Sequence, residues 1–150
     1  MLGVGNVLQG DDGAGPHLIS RLAATGTAPD VTLIDGGTVG LPLLETVENA
    51  DSLIVVDAAD TGLDPGAVSV YENEAFDRFL NRQAALSVHE AGLSEVLTAA
   101  RLRRRLPARR ALVGIQPAVL GWNTELSAAV QAGIEQALTR VAALLEDYRQ

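Results

Sequence analysis

Three short, largely apolar runs, Val31 to Ile34, Leu53 to Val56 and Ala111 to Ile115, are rich in β-branched side chains and do not alternate regularly with polar positions. That pattern predicts parallel strands covered on both faces. Between them run longer segments with helical spacing. The clearest extends from about Ser127 to Tyr148, where Val130, Ile134, Leu138, Val141 and Leu145 recur on one face. Another follows Ser87, which forms a capping-box pair with Glu90 ahead of Leu93, Val96, Leu97 and Ala100. Pro16 and Pro42 are placed to open two more helices, since proline is tolerated in a first turn. Val68 to Tyr71 follows the turn-forming Asp64-Pro65-Gly66 and reads as an edge strand. The first strand has only Met1 to Val4 before the Gly5-Asn6 turn, short of the roughly 5 to 6 residues of a usual strand.

The resulting order is strand, helix, strand, helix, strand, edge strand, helices, strand, helix. It predicts a three-layer α/β/α architecture with a mostly parallel sheet. A chain of 150 residues with 47% hydrophobic positions fits one domain, 1–150, with no linker or internal repeat. No segment is apolar for the roughly 18 residues of a membrane helix, and no basic stretch leads an apolar one at the N-terminus. The expectation is a cytoplasmic protein without membrane insertion.

Composition narrows the chemistry. There is no cysteine, which removes thiolate nucleophiles and sulfur-ligated metal centres. All eleven basic residues are arginine, which removes Schiff-base lysines and the phosphate-gripping lysine of P-loops. A net charge of −8 disfavours nucleic acid as a partner. The one basic cluster, Arg101, Arg103, Arg104, Arg105, Arg109 and Arg110, reads either as a solvated helix end or as a contact for an acidic partner.

In open α/β sheets ligands bind outside the carboxyl ends of the strands. Here those places are polar: Gly10-Asp11-Asp12-Gly13-Ala14-Gly15-Pro16 after the first strand, Asp35-Gly36-Gly37-Thr38 after the second, and Asp57 closing Leu53-Ile54-Val55-Val56-Asp57. Of the two histidines, His17 follows Pro16 and reads as a first-turn helix residue. His89 lies inside the predicted cap, where the helix N-terminus disfavours the imidazolium and keeps the ring in its metal-coordinating form. Asp12, Asp57 and His89 form a two-carboxylate, one-imidazole set suited to a divalent ion. Alone, His89 reads rather as a histidine packed against the core and bonded to backbone.

Two other classes compete. A phospho-acceptor receiver domain also places acidic residues after its first and third strands, as Asp11, Asp12 and Asp57 are placed. It requires a lysine after its last strand, where this chain has Ile115-Gln116-Pro117. A catalytically silent metal-binding chaperone of the same fold is the second. No serine sits in G-x-S-x-G, and no dinucleotide fingerprint follows Gly3-Val4-Gly5.

Across nearly its full length the chain resembles the hydrogenase maturation endopeptidases. The resemblance rests on Gly3-Val4-Gly5-Asn6, the Gly10 to Pro16 segment, Asp35-Gly36-Gly37-Thr38, Leu53 to Asp57, His89-Glu90-Ala91-Gly92-Leu93 and Val113-Gly114-Ile115-Gln116-Pro117. It implies a phosphorylase/hydrolase-like fold with a five-stranded sheet in order 2-1-3-5-4, strand 4 antiparallel. It further implies that Asp12, Asp57 and His89 are the metal-binding and catalytic residues, many members carrying glutamate at the Asp12 position. Asp35, Gly36, Gly37 and Thr38 would then read the substrate peptide. The implied substrate is the precursor of a nickel-iron hydrogenase large subunit, which loses a C-terminal extension. The implied nickel is carried by that substrate, while other divalent metals can occupy the site of the isolated protein, a monomer when free.

Overall fold

The computed structural model describes residues 1–26, 29–84 and 91–150. Five strands form one sheet: β1 (Leu2–Val4), β2 (Ile34–Gly37), β3 (Ser52–Ala58), β4 (Val68–Glu72) and β5 (Arg109–Ile115). Their order is β2-β1-β3-β5-β4, with β4 antiparallel to β5 and the other pairs parallel. The order and the reversed edge strand agree with the expectation from the family resemblance. They differ from the all-parallel 2-1-3-4-5 sheet of receiver domains.

Strand β3 shows why the sheet has two covered faces. Leu53 and Val55 pack into one core with Leu2, Phe76 and Val96, while Ile54 and Val56 pack into a second with Leu18, Val130 and Ile134. Side chains of a strand alternate in direction, so a continuous apolar run supplies both layers at once. The first core is closed by α2 (Leu44–Glu48), α3 (Glu74–Ala84) and α4 (Ala91–Leu102). The second is closed by α1 (Ala14–Thr25) and α5 (Ala128–Arg149). Among the described residues no helix is long and apolar enough to cross a membrane.

Two expectations shift. The second strand begins at Ile34 rather than Val31, so Asp35, Gly36 and Gly37 lie inside it. Pairing sets that start: β1 meets its partner through Leu2↔Ile34 and Gly3↔Asp35, leaving Val31 to Leu33 ahead of the ladder. On α5 the fully buried stripe is Val130, Gly133, Ile134, Ala137, Val141 and Leu144, with Leu138 and Leu145 only partly buried. Small residues take the innermost positions because the helix lies close to the chain beneath it. A β-carbon on Gly133 would stand 2.5 Å from the Gly66 carbonyl oxygen. The capping pair Ser87 and Glu90 lies outside the described residues.

Helix α1 sits on the sheet at similarly close range. A β-carbon on Gly15 would stand 2.4 Å from the carbonyl oxygens of both Val4 and Val56, backbone atoms that cannot move aside independently. This contact seats the start of α1 over the ends of β1 and β3. Gly15→Ala is therefore expected to lose about 1 to 3 kcal/mol, the scale of an overpacked core. The loss should appear as a lower urea midpoint with an unchanged slope.

Candidate functional site

A cleft of about 450 Å³ opens at the carboxyl end of the sheet, and its walls include Asn6, Asp12, Gly37, Thr38, Asp57 and Leu120. Asn6, Gly37, Thr38 and Asp57 stand at or just beyond strand ends, while α3 and α4 contribute Phe79, Leu80 and Leu93. Strand β1 stops at Val4, and Gly5 turns the chain with φ 129°, a value suited to glycine. The turn is tight against the next segment, since a β-carbon on Gly5 would lie 1.8 Å from the Asp12 carbonyl oxygen. The backbone N–H of Asn6 then donates to Oδ2 of Asp12 at 2.8 Å. Asp12 is thus aimed by the end of the first strand.

Asp57 is the penultimate residue of β3 and pairs in register with Gly114 of β5. The chain beyond it is fixed from the neighbouring strand. Gln116 Oε1 accepts from the Thr61 backbone N–H at 2.7 Å and from its hydroxyl at 3.0 Å. Asp57 is half-buried, at the boundary between the apolar strand and the cleft. The two carboxylates that sequence spacing singled out therefore reach one cleft. His89 lies outside the described residues. Among the described residues there is no group of three or more His, Asp and Glu arranged to hold a metal.

The Asp35-Gly36-Gly37-Thr38 segment divides. Gly37 and Thr38 line the cleft, whereas the exposed Asp35 accepts the Gly37 backbone N–H at 2.9 Å, and Gly36 is buried. A β-carbon on Gly36 would meet Leu2 Cδ1 at 2.7 Å, so that glycine admits the core beneath it. His17 stands apart, in a second cleft with Arg21 and Glu125. The arginine cluster is at the other end of the sheet: Arg109 opens β5 opposite Ser52, the first residue of β3. Much of it serves structure. Arg110 binds Asp77 through Nε at 2.9 Å and Nη2 at 2.5 Å, Arg101 pairs with the same carboxylate, and Arg109 stacks 5.5 Å from the Tyr148 ring centre.

The residue that sequence reasoning left without a role is Asp11. Its side chain is fully buried and is not paired with a cation. Instead Oδ2 accepts from the backbone N–H groups of Ala118 and Val119, both at 2.8 Å, and from the Ser127 hydroxyl at 2.9 Å. Oδ1 accepts from the Ser127 N–H at 2.7 Å. Burial pushes the Asp11 carboxyl up, but the N–H groups of Ser127, Val119 and Ala118 and the Ser127 hydroxyl outweigh it and hold it below the usual carboxylate range. Ser127 in turn caps α5, its hydroxyl oxygen accepting from the Val130 N–H at 3.3 Å. One carboxylate thus joins the loop before α1, the loop after β5 and the start of α5. No local signal separated it from Asp12, because its donors stand more than a hundred positions away in sequence.

Fold and cleft together define a class, an α/β protein that presents carboxylates at the carboxyl ends of a largely parallel sheet. Residues 16–144 match the family model of the hydrogenase maturation protease. The chain is 39% identical to the hydrogenase expression/formation protein HoxM of Cupriavidus necator over 96% of its own length and 72% of that protein's. It is 35% identical to the hydrogenase 2 maturation protease of Escherichia coli, covering 98% of this chain and 90% of that one. A solved structure of the hydrogenase maturating endopeptidase HybD from E. coli superposes with a TM-score of 0.85 at 34% identity, over 97% of this chain and 91% of that one. The chain belongs to the hydrogenase maturation protease family and is a peptidase.

The Asp11 network makes a signed prediction. Because the folded-state pKa lies below the unfolded value of about 3.9, Asp11 stabilises the fold above that pH and ceases to as pH falls through the folded value. Asp11→Asn should cost about 2 to 3 kcal/mol at neutral pH, the scale of hydrogen bonds to a charged acceptor. Urea unfolding should show the gap between wild type and variant closing as the solution is acidified.

Proposed function

We propose that the cleft removes the C-terminal extension from the large-subunit precursor of a nickel-iron hydrogenase, and that Asp12, Asp57 and His89 meet the nickel which that precursor carries. The observation that supports this most is the convergence of Asp12 and Asp57, from different strand ends, on one cleft. Relatives named as maturation proteases supply the reaction class.

Two carboxylates and one imidazole, without a thiolate, hold nickel less firmly than a site with cysteine ligands. A loosely held ion suits sensing rather than storage, so the metal arrives and leaves with the substrate. Held by Asp12, Asp57 and His89, it would supply a Lewis acid for the scissile carbonyl or the attacking water, with a carboxylate as base. Gly37 and Thr38 line the same cleft and offer backbone and hydroxyl groups to the peptide, while Asp35 keeps the strand end in shape. Nickel-free precursor would lack the ion that the cleft recognises and the Lewis acid that the ion supplies.

Chelator-treated enzyme should therefore cleave nickel-loaded precursor and leave nickel-free precursor intact. Asp57→Asn and His89→Ala should each slow cleavage by at least about 100-fold. His17→Ala, in the separate cleft, should cleave near the wild-type rate, and circular dichroism should show all three folded. Equal cleavage of both precursors would overturn the nickel-sensing reading.

A further inference from the structure

The loop after β5 carries Val119, Leu120 and Trp122, exposed by 52%, 63% and 83%. Val7 and Leu8, from the loop after β1, are exposed as well, and the two loops are laced together. Gly10 N–H donates to the Asn123 carbonyl at 2.7 Å, Asn123 N–H to the Leu8 carbonyl at 3.1 Å, and Asp11 N–H to the Val119 carbonyl at 3.0 Å. The buried Asp11 carboxylate also grips the N–H groups of Ala118 and Val119 from beneath.

Single exposed apolar residues need no explanation, but these five sit on two loops whose backbones are hydrogen-bonded to each other. A loop free to rearrange would turn such side chains inward. This one is held in a shape that leaves them outside, by a buried charge whose desolvation is costly unless its donors are in place.

The apron is continuous with the cleft, because Leu120 lines it beside Asp12 and Asp57. Val39, also exposed, lines the same cleft. Leu120 and Val39 thus offer apolar side chains to a peptide that occupies it. The cleft's own carboxylates and the net charge of −8 disfavour an acidic strand, and the arginine cluster that would attract one sits at the far end of the sheet.

We propose that Val7, Leu8, Val119, Leu120 and Trp122 bind an apolar, extended segment of the substrate protein next to the scissile bond. This rests on the cleavage reading above and adds where the substrate chain runs. Trp122 anchors the segment, as a large rigid side chain that loses little conformational freedom on being covered.

Trp122 is the chain's only tryptophan, so emission excited selectively from tryptophan, and not from Tyr71 or Tyr148, reports on this surface alone. The probe is a synthetic, tryptophan-free peptide reproducing the partner precursor on both sides of its cleaved bond. Adding it should give a saturable blue shift of the emission. With intact nickel-loaded precursor, Trp122→Ser should raise KM about tenfold while kcat stays near the wild-type value. Asp57→Asn, by contrast, should suppress kcat. The double variant Val119→Ser/Leu120→Ser should repeat the KM effect if Trp122→Ser alone perturbs the loop. Wild-type KM in both apron variants would overturn the docking inference and leave the cleavage reading intact. Failure of the wild-type enzyme to cleave precursor would overturn the reading on which it rests. An emission already blue-shifted without peptide, moving red on dilution as a dimer dissociates, would assign the apron to a second copy of this chain and overturn the inference.

Discussion

Burying the Asp11 carboxylate removes its hydration, and that loss is offset only where three backbone N–H groups and a hydroxyl converge on it. Those donors come from the segment after β5 and the cap of α5, so their convergence fixes three parts of the chain to one point. The consequence reaches the cleft through the covalent chain. Asp12 follows Asp11, and its carboxylate is held by the Asn6 N–H at the end of β1. Leu120 and Trp122 lie just beyond the N–H groups of Ala118 and Val119 that Asp11 grips. Doubled aspartates at this turn therefore divide the labour, one facing inward to build the walls and the other lining the cleft.

The legible parts of the fold were those that a single strand or helix encodes locally. Leu53 to Val56 is apolar without interruption because both of its faces are covered, and it lies within β3. β2 was harder. After Ile34 it continues through Asp35, Gly36 and Gly37, all poor strand formers, while the apolar Val31 to Ile34 begins ahead of the ladder, so pairing with β1 overrode propensity. The stripe of α5 drifted toward Gly133 and Ala137 because close approach of chains selects small residues that apolar periodicity does not weigh.

Of the site, Asp12 and Asp57 were legible from the strand-end rule, since a carboxylate that follows a short strand in an open α/β sheet faces the ligand edge. Asp11 was not. Its partners stand more than a hundred positions away in sequence, and nothing local separates it from Asp12. The arginine cluster was ambiguous in sequence because ion pairing depends on which acids lie opposite. Asp77, from α3, takes up Arg101 and Arg110 at the end of the sheet remote from the cleft. Charge is thus segregated: arginines brace the amino ends of the central strands, and Asp12 and Asp57 line the cleft at the carboxyl ends.

The central claim is that Asp12, Asp57 and His89 contact nickel that belongs to the substrate. Nickel K-edge X-ray absorption tests it most directly, on nickel-loaded precursor whose scissile bond has been blocked by substitution, recorded with and without a stoichiometric amount of enzyme. The account predicts that adding wild-type enzyme introduces nitrogen and oxygen neighbours at the nickel, and that Asp57→Asn or His89→Ala diminishes them. A nickel spectrum unchanged by bound wild-type enzyme would contradict it.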